Sequence, residues 1–156
     1  MTTSAGILLY RLDPEPEVLI AHMGGPYWAA KDAGAWSIPK GEFDEADESA
    51  LDAAHREFEE ELGVAPPAVA YAELGTFAYS SGKRVTVFVA DGAGFQAPTE
   101  GFGEFELEWP PRSGRTASFP EVDRAEWVGL DAARERLVKG QRPAIHALEE
   151  HLAAAS

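Results

Sequence analysis

Glu57, Glu60 and Glu61 stand close together in the run Arg56-Glu57-Phe58-Glu59-Glu60-Glu61-Leu62-Gly63-Val64. On a helix advancing ~100° per residue they share one face, and Leu51, Phe58 and Leu62 share an adjacent one. Helix neighbours three and four apart sit ~5–6 Å from each other. At an effective dielectric of 20, each like-charge pair at that range costs on the order of 3 kcal/mol. Glu-rich faces are commonly just solvated, and Glu59-Glu60-Glu61 alone would read that way. Here no Lys occupies the face. Arg56 lies roughly 60–100° round the helix and relieves only part of the repulsion. Mg²⁺ or Mn²⁺ would relieve it better, keeping several waters and taking up phosphate oxygens. The face has no His, which disfavours zinc. The chemistry implied is metal-assisted work on a phosphate.

This helix needs anchoring. Ser49 suits its N-cap with Asp52 at N3, Gly63 suits the position after its end, and Pro66-Pro67 prevents continuation. Just upstream, Pro39-Lys40-Gly41 reads as a turn. Gly41 lets the backbone approach closely, so a main-chain carbonyl there can join a metal shell. Residues 42–47 read as an acidic loop. Strands are expected at 5–12 and 17–23 around the Asp13-Pro14-Glu15-Pro16 turn, and at 36–38. A hairpin is expected from 72–79 and 84–91, and further strands at 105–109 and 124–130. Residues 110–120 read as irregular. Asp131 is the expected cap of a helix through Val138, and a last helix follows Pro143 at its first position. The tract 92–104 is too long for an ordinary connection and is expected to border a binding site.

The 156 residues point to one domain spanning 1–156, large enough for a sizeable core. The formal net charge of −14 repels nucleic-acid polymers and anionic lipid surfaces, so neither is an expected partner. The expected partner is a small phosphorylated compound, met through metal ions that neutralise the contact. There is no Cys, which excludes disulfides, Cys-ligated zinc and a thiol nucleophile, and fits a reducing cytoplasm. The start carries no basic cluster ahead of Gly6-Ile7-Leu8-Leu9-Tyr10, so a signal peptide is not expected, and no apolar run reaches the ~20 residues of a membrane span. Oligomeric state is left open.

The acidic run resembles the Nudix hydrolase signature, Gly-x5-Glu-x7-Arg-Glu-U-x-Glu-Glu-x-Gly-U with U bulky and aliphatic. Glu48, seven intervening residues and Arg56 to Val64 match its second part, with Phe58 aromatic at a U position. Gly41 and Glu48 enclose six residues rather than five. Either Glu48 holds the Glu position behind a longer loop, or Asp47 holds it and the next gap grows to eight. Trp36 to Gly41 and Ala125 to Asp131 also look Nudix-like. The resemblance implies an α/β (α+β) fold, an α/β/α sandwich with a mixed sheet. It implies Mg²⁺- or Mn²⁺-dependent hydrolysis of a nucleoside diphosphate linked to another group. It implies Glu60 and Glu61 as metal ligands, Glu57 on metal or on the attacking water, and the Lys40 or Gly41 carbonyl in the shell. It implies an Arg56–Glu48 salt bridge that holds the loop on the helix. A further carboxylate usually comes from a later segment; Glu121, then Glu106 and Glu104, are the candidates.

For substrate binding, Tyr27 and Trp28 in a Gly/Pro loop are the stacking candidates, with Trp36 a third; Trp127 reads as core. Lys40, Lys83, Arg112 and Arg115 are cations in an acidic chain, and Arg suits bidentate phosphate contact. His22 and His55 have no partners that suggest a catalytic base. Dinucleoside polyphosphates and nucleoside triphosphates are favoured over nucleotide sugars and inositol pyrophosphates. The alternative function is a Nudix-fold sensor that binds a nucleotide without cutting it; such a module has no need of the acidic face.

Overall fold

The computed structural model describes residues 3–12 and 14–155. Asp13 of the expected first turn, and Met1 and Thr2 at the start, lie outside the described residues.

The first strand, β1 (Thr3–Leu12), shows why the chain layers as it does. Ala5, Ile7 and Leu9 point to one face and Leu8 to the other, all without solvent contact. Strand side chains alternate between faces, so an unbroken apolar run requires cover on both. β2 (Pro16–Met23) repeats the pattern, with Val18 and Ile20 against Leu19 and Ala21. The next strands are short: β3 (Trp36–Ser37) and β4 (Lys40–Glu42). The helix α1 (Ala50–Leu62) follows, then β5 (Ala72–Ala78) and β6 (Arg84–Asp91). A separate two-stranded ribbon, β7 (Glu104–Glu108) and β8 (Thr116–Pro120), leads into β9 (Val122–Gly129). The chain ends with α2 (Leu130–Arg136), a 3₁₀ turn (Lys139–Gln141) and α3 (Arg142–Ala155).

Seven strands form one mixed sheet in the order β3-β2-β1-β6-β5, with β4 also on β1 and β9 also on β2. β1 runs parallel to β6 and antiparallel to β2 and β4. α1 covers one face through Ala53, Ala54, Phe58 and Leu62. α2 and α3 cover the other through Ala133, Ala144, Ile145 and Leu148. This is the expected α/β/α sandwich. Among the described residues no helix is long and apolar enough to cross a membrane.

The structure corrects several local expectations. The Pro39-Lys40-Gly41 turn opens directly into β4, paired Lys40 to Gly6 and Gly41 to Ala5. The stretch 110–120, expected irregular, ends in β8, whose Phe119 and Ala117 pair with Phe105 and Leu107 of β7. The two-residue alternation there is short and interrupted by polar residues, which hides it. α2 is capped by Gly129 without a side-chain bond, not by Asp131, and stops at Arg136. Arg134 instead bonds Asp131 and Glu149, tying α2 to α3. Pro143 is the second residue of α3.

Candidate active site

α1 is built to be held at both ends. The Ser49 hydroxyl accepts from the Asp52 amide at 3.1 Å, and Gly63, at φ 78°, donates its amide to the Glu59 carbonyl at 2.8 Å. Phe58 and Leu62 are buried against the sheet. With that side fixed, Glu57 and Glu61 turn toward β4. A Cβ on Gly41 would fall 2.0 Å from the Glu57 carboxyl, so only glycine lets strand and carboxylate approach this closely. The Glu61 carboxylate accepts from the Lys40 backbone amide.

The electrostatics are severe. Burial pushes the Glu61 carboxyl up to about 8, against partial relief from the Lys40 charge; Glu121 and Glu57 push it further up. Burial also raises Glu57, opposed by Arg56 and reinforced by Glu60 and Glu48. Glu121 is raised by burial, then by Glu57 and Glu60. Glu121 therefore shares one field with the α1 carboxylates, although sixty residues separate it from Glu61. Its position is set by backbone contacts. The Gly103 amide donates to the Glu61 carbonyl at 3.1 Å, and the Glu121 amide donates to the Gly103 carbonyl at 2.7 Å. A Cβ on Gly103 would sit 2.3 Å from the Glu60 carbonyl, so this too is a close approach that a side chain would block. The tract 92–104 thus folds onto the end of α1, and Phe95 in it packs edge-on to Phe58 at 5.8 Å. That contact accounts for an aromatic residue at position 58.

Arg56 differs from expectation. Its side chain curls back over the acidic face: Nη1 donates to Glu57 at 2.8 Å and to Glu60 at 3.2 Å. Nη2 and Nε donate to Glu48 at 2.5 and 3.1 Å. One guanidinium serves three carboxylates, because a long side chain is not confined to the direction of its Cα–Cβ bond.

The remaining candidates are dispersed. Glu104 accepts from Ser118 at 3.0 Å, and Glu106 is on the exposed face of β7. Trp36, a stacking candidate, is instead fully buried, its indole N–H donating to Asp32 at 2.8 Å. Trp28 packs against the core on the α2–α3 side, with Lys31 over its ring at 5.3 Å. Tyr27 is 56% exposed, held edge-on by Trp109 at 5.5 Å. Lys83 belongs to the β5–β6 turn, where its charge acts on Tyr79. Arg112, at φ 61°, and Arg115 belong to the turn at the tip of the ribbon. Among the described residues, no contact joins Tyr27, Trp28, Lys83 or Arg112 to the carboxylate cluster. His22 is buried between Asp123 and the Lys31 carbonyl, and His55 bonds the Leu51 carbonyl. The contribution missing from the sequence reading is Gly103, which packs against the end of α1; a lone glycine in a long loop gives no signal for that.

The donor set consists of hard oxygens only, which suits Mg²⁺ or Mn²⁺ and not a soft metal. Among the described residues no three of these side chains already converge around one point. Glu57 and Glu60 are spent on Arg56, and would have to leave it to serve a dication.

Comparison with known proteins settles the family. A family model described as NUDIX domain matches residues 2–148. The chain belongs to the Nudix hydrolase family. A bacteriophage T4 protein, described as an uncharacterized 17.7 kDa protein in the e-segB intergenic region, is 38% identical over 90 residues. That match covers 56% of this chain and 57% of the phage protein. Among solved structures, the NUDIX domain of Shewanella oneidensis NrtR in complex with ADP ribose superposes with a TM-score of 0.65 at 19% identity, over 96% of this chain and 87% of that one. The C. elegans Ap4A hydrolase binary complex gives 0.63 at 20%, over 97% and 98%. The M. smegmatis Nudix hydrolase RenU gives 0.59 at 24%, over 99% and 87%. At these identities the three structures attest the fold.

Within the Nudix box, the two candidates of the longer loop differ in their contacts. Glu48 bonds Arg56, whereas Asp47 is exposed. The extra residue is absorbed in a turn at 44–48, where Asp47 and Glu48 donate their amides to the Asp44 carbonyl at 2.9 and 3.2 Å. The Asp44 carboxylate also accepts from the Ala46 amide.

Proposed function

We propose that this Nudix domain hydrolyses a pyrophosphate bond in a nucleoside diphosphate derivative, a dinucleoside polyphosphate or a nucleoside triphosphate, with Mg²⁺ or Mn²⁺. The observation that carries the reading is the Glu57–Glu60–Glu61–Glu121 cluster, where burial and like charge lift a Glu61 carboxyl to about 8. Arg56 answers the charge of Glu57 and Glu60 only in part, and a purely structural surface would not bring Glu61 and Glu121 into the same field without a further counter-cation. A dication bound there would supply Lewis-acid charge for the phosphate oxygens and an acidified water.

Each side chain then has a task. Glu60 and Glu61 would hold the metal, with the Gly41 or Lys40 carbonyl and Glu121 as further oxygen donors. Glu57, pressed against Gly41, would hold the metal or accept the proton of the attacking water. Arg56 keeps the loop on α1 through Glu48. Lys40 adds positive charge beside the transferred phosphate. The Nudix relatives whose structures contain ADP ribose or bear the name Ap4A hydrolase support a nucleotide as the substrate.

The test is a panel of dinucleoside polyphosphates, nucleoside triphosphates, nucleotide sugars and inositol pyrophosphates, read for phosphate and pyrophosphate with Mg²⁺, Mn²⁺ or EDTA. Metal-dependent release is expected, lowered by orders of magnitude in Glu57→Gln and Glu60→Gln with the fold intact. A compound that binds and is never cut would support the sensor instead.

A further inference from the structure

The β7–β8 ribbon is separate from the main sheet, yet Glu121 stands at the end of its ladder. The innermost pair of the ribbon joins Glu104 to Pro120. The ladder continues one rung further, because the Glu121 amide donates to the Gly103 carbonyl at 2.7 Å. Residues opposite each other in an antiparallel pair project to the same side. A Cβ on Gly103 would fall 2.3 Å from the Glu60 carbonyl and 3.4 Å from Glu121 Oε2. The side they share is therefore the one toward the last turn of α1, and the Glu121 carboxylate lies there. Strand side chains alternate, so a slip of one residue in this ladder would turn Glu121 away from α1.

The root of the ribbon is clamped backbone against backbone. The Gly103 amide donates to the Glu61 carbonyl at 3.1 Å. The Gly101 carbonyl runs so close to Gly63 that a Cβ on Gly63 would fall 1.9 Å from it. The Glu121 carbonyl accepts from the Gly24 amide at 3.0 Å, and a Cβ on Gly24 would fall 2.1 Å from the Pro120 carbonyl. Both main-chain polar groups of Glu121 are thus engaged by neighbouring segments. Further out, the aromatic side of the ribbon holds the register: Phe119 pairs with Phe105 at 6.2 Å between ring centroids and meets Trp109 edge-on at 6.4 Å. A two-stranded ribbon is marginal by itself, so its shape depends on these contacts. Packing alone does not call for what the ribbon delivers. It carries a carboxylate into the field of Glu57 and Glu60, where burial and like charge oppose it. A connection that only had to close the fold would place a neutral or basic side chain at that rung.

We propose that the β7–β8 ribbon is a positioning arm for the metal site: its register, locked to the last turn of α1 through Gly101 and Gly103, sets whether Glu121 faces the α1 carboxylates, and so sets the affinity for a dication. Gly103 is the positioning residue, and the ribbon itself gives the metal no donor. The proposal rests on the metal-dependent reading of the cluster and names what controls it.

The test is a double-mutant cycle read as Mn²⁺ affinity by calorimetry, with no substrate and no turnover. Mn²⁺ is titrated into the parent, Gly103→Ala, Glu121→Gln and the double variant. Phe119→Ala, alone and with Glu121→Gln, decides the matter should Gly103→Ala not fold. Expected is a loss of about 10- to 100-fold in Gly103→Ala, the range for losing a group that orients a metal ligand. Phe119→Ala, which touches no carboxylate of the cluster, should lose about three- to tenfold, the worth of an aromatic pair. In the Glu121→Gln background either change should cost no more than about twofold, the margin within which independent sites add. Parental Mn²⁺ affinity in a folded Gly103→Ala overturns the proposal. So does a loss that persists in full beside Glu121→Gln, which would mean a general distortion of α1. In that case hydrolysis by the parent in the substrate panel leaves the hydrolase reading standing without the arm. A parent that shows the coupled Mn²⁺ losses but cuts nothing in the panel fails the hydrolase reading while the arm stands, and a parent that binds no Mn²⁺ overturns both.

Discussion

Glu61→Gln should make the metal-free protein more stable while removing its function. The Glu61 carboxyl rises from 4.5 to about 8 on folding, mainly because burial disfavours its charged form. A carboxyl whose folded pKa lies above its unfolded value holds its proton more tightly in the folded chain. Its contribution is complete below about 4.5 and is lost as pH rises through about 8. At pH 7 the gap from 4.5 is about two and a half pH units, or roughly 3 kcal/mol at ~1.4 kcal/mol per unit. Partial solvent access trims this to about 2–3 kcal/mol. Glutamine has nearly the same shape, can still accept from the Lys40 amide and carries no charge. At ~2–4 °C per kcal/mol for a chain of this size, the metal-free Tm should rise by roughly 5–10 °C. The assay is a thermal melt in EDTA from pH 5 to 9. The parent Tm should fall across that window, and the variant should be flatter. Added Mg²⁺ should raise the parent Tm above pH 7 and leave the variant nearly unmoved. A Glu61→Gln protein that melts at or below the parent in EDTA at pH 7 would refute the electrostatic reasoning.

Glu48→Gln should lower kcat/KM about tenfold or more, the usual effect of losing a side chain that orients a ligand-bearing group, while Asp47→Asn should change neither turnover nor Tm. Equal effects from the two would contradict the structural choice of Glu48 as the partner of Arg56. Gly41→Ala should cost on the order of 10²-fold in kcat, because its methyl group would displace the Glu57 carboxyl by more than an ångström. Parental kcat in that variant would mean Glu57 does not act from where the structure places it.

The layered fold was legible because its signals are local. The apolar run in β1, the Ser49 cap and the glycine after Leu62 each state their role within a few residues. The three α1 carboxylates were legible for the same reason, since helical periodicity alone puts them on one face. What escaped were features made by contacts between distant segments. β4 exists because Gly41 and Lys40 meet β1, and nothing in Pro39-Lys40-Gly41 itself calls for a strand. Arg56 was expected to point away, because Cβ direction governs short side chains better than a guanidinium at the end of a long stem. Trp36 looked available for stacking in a loop-rich context, but the bridge from Trp36 to Leu137 and the rings around it enclose it. Glu121 could be ranked ahead of Glu104 and Glu106 on position only; the contacts through Gly103 and Gly24 are what bring it to the cluster.

The central claim is that Glu57, Glu60, Glu61 and Glu121 together hold a hard dication. A crystal soaked in Mn²⁺ and measured at the manganese edge tests it most directly. The account predicts an anomalous peak bounded by oxygens of these side chains, with Glu57 and Glu60 released from Arg56. No peak there, with both carboxylates still bonded to the guanidinium at saturating Mn²⁺, would contradict it.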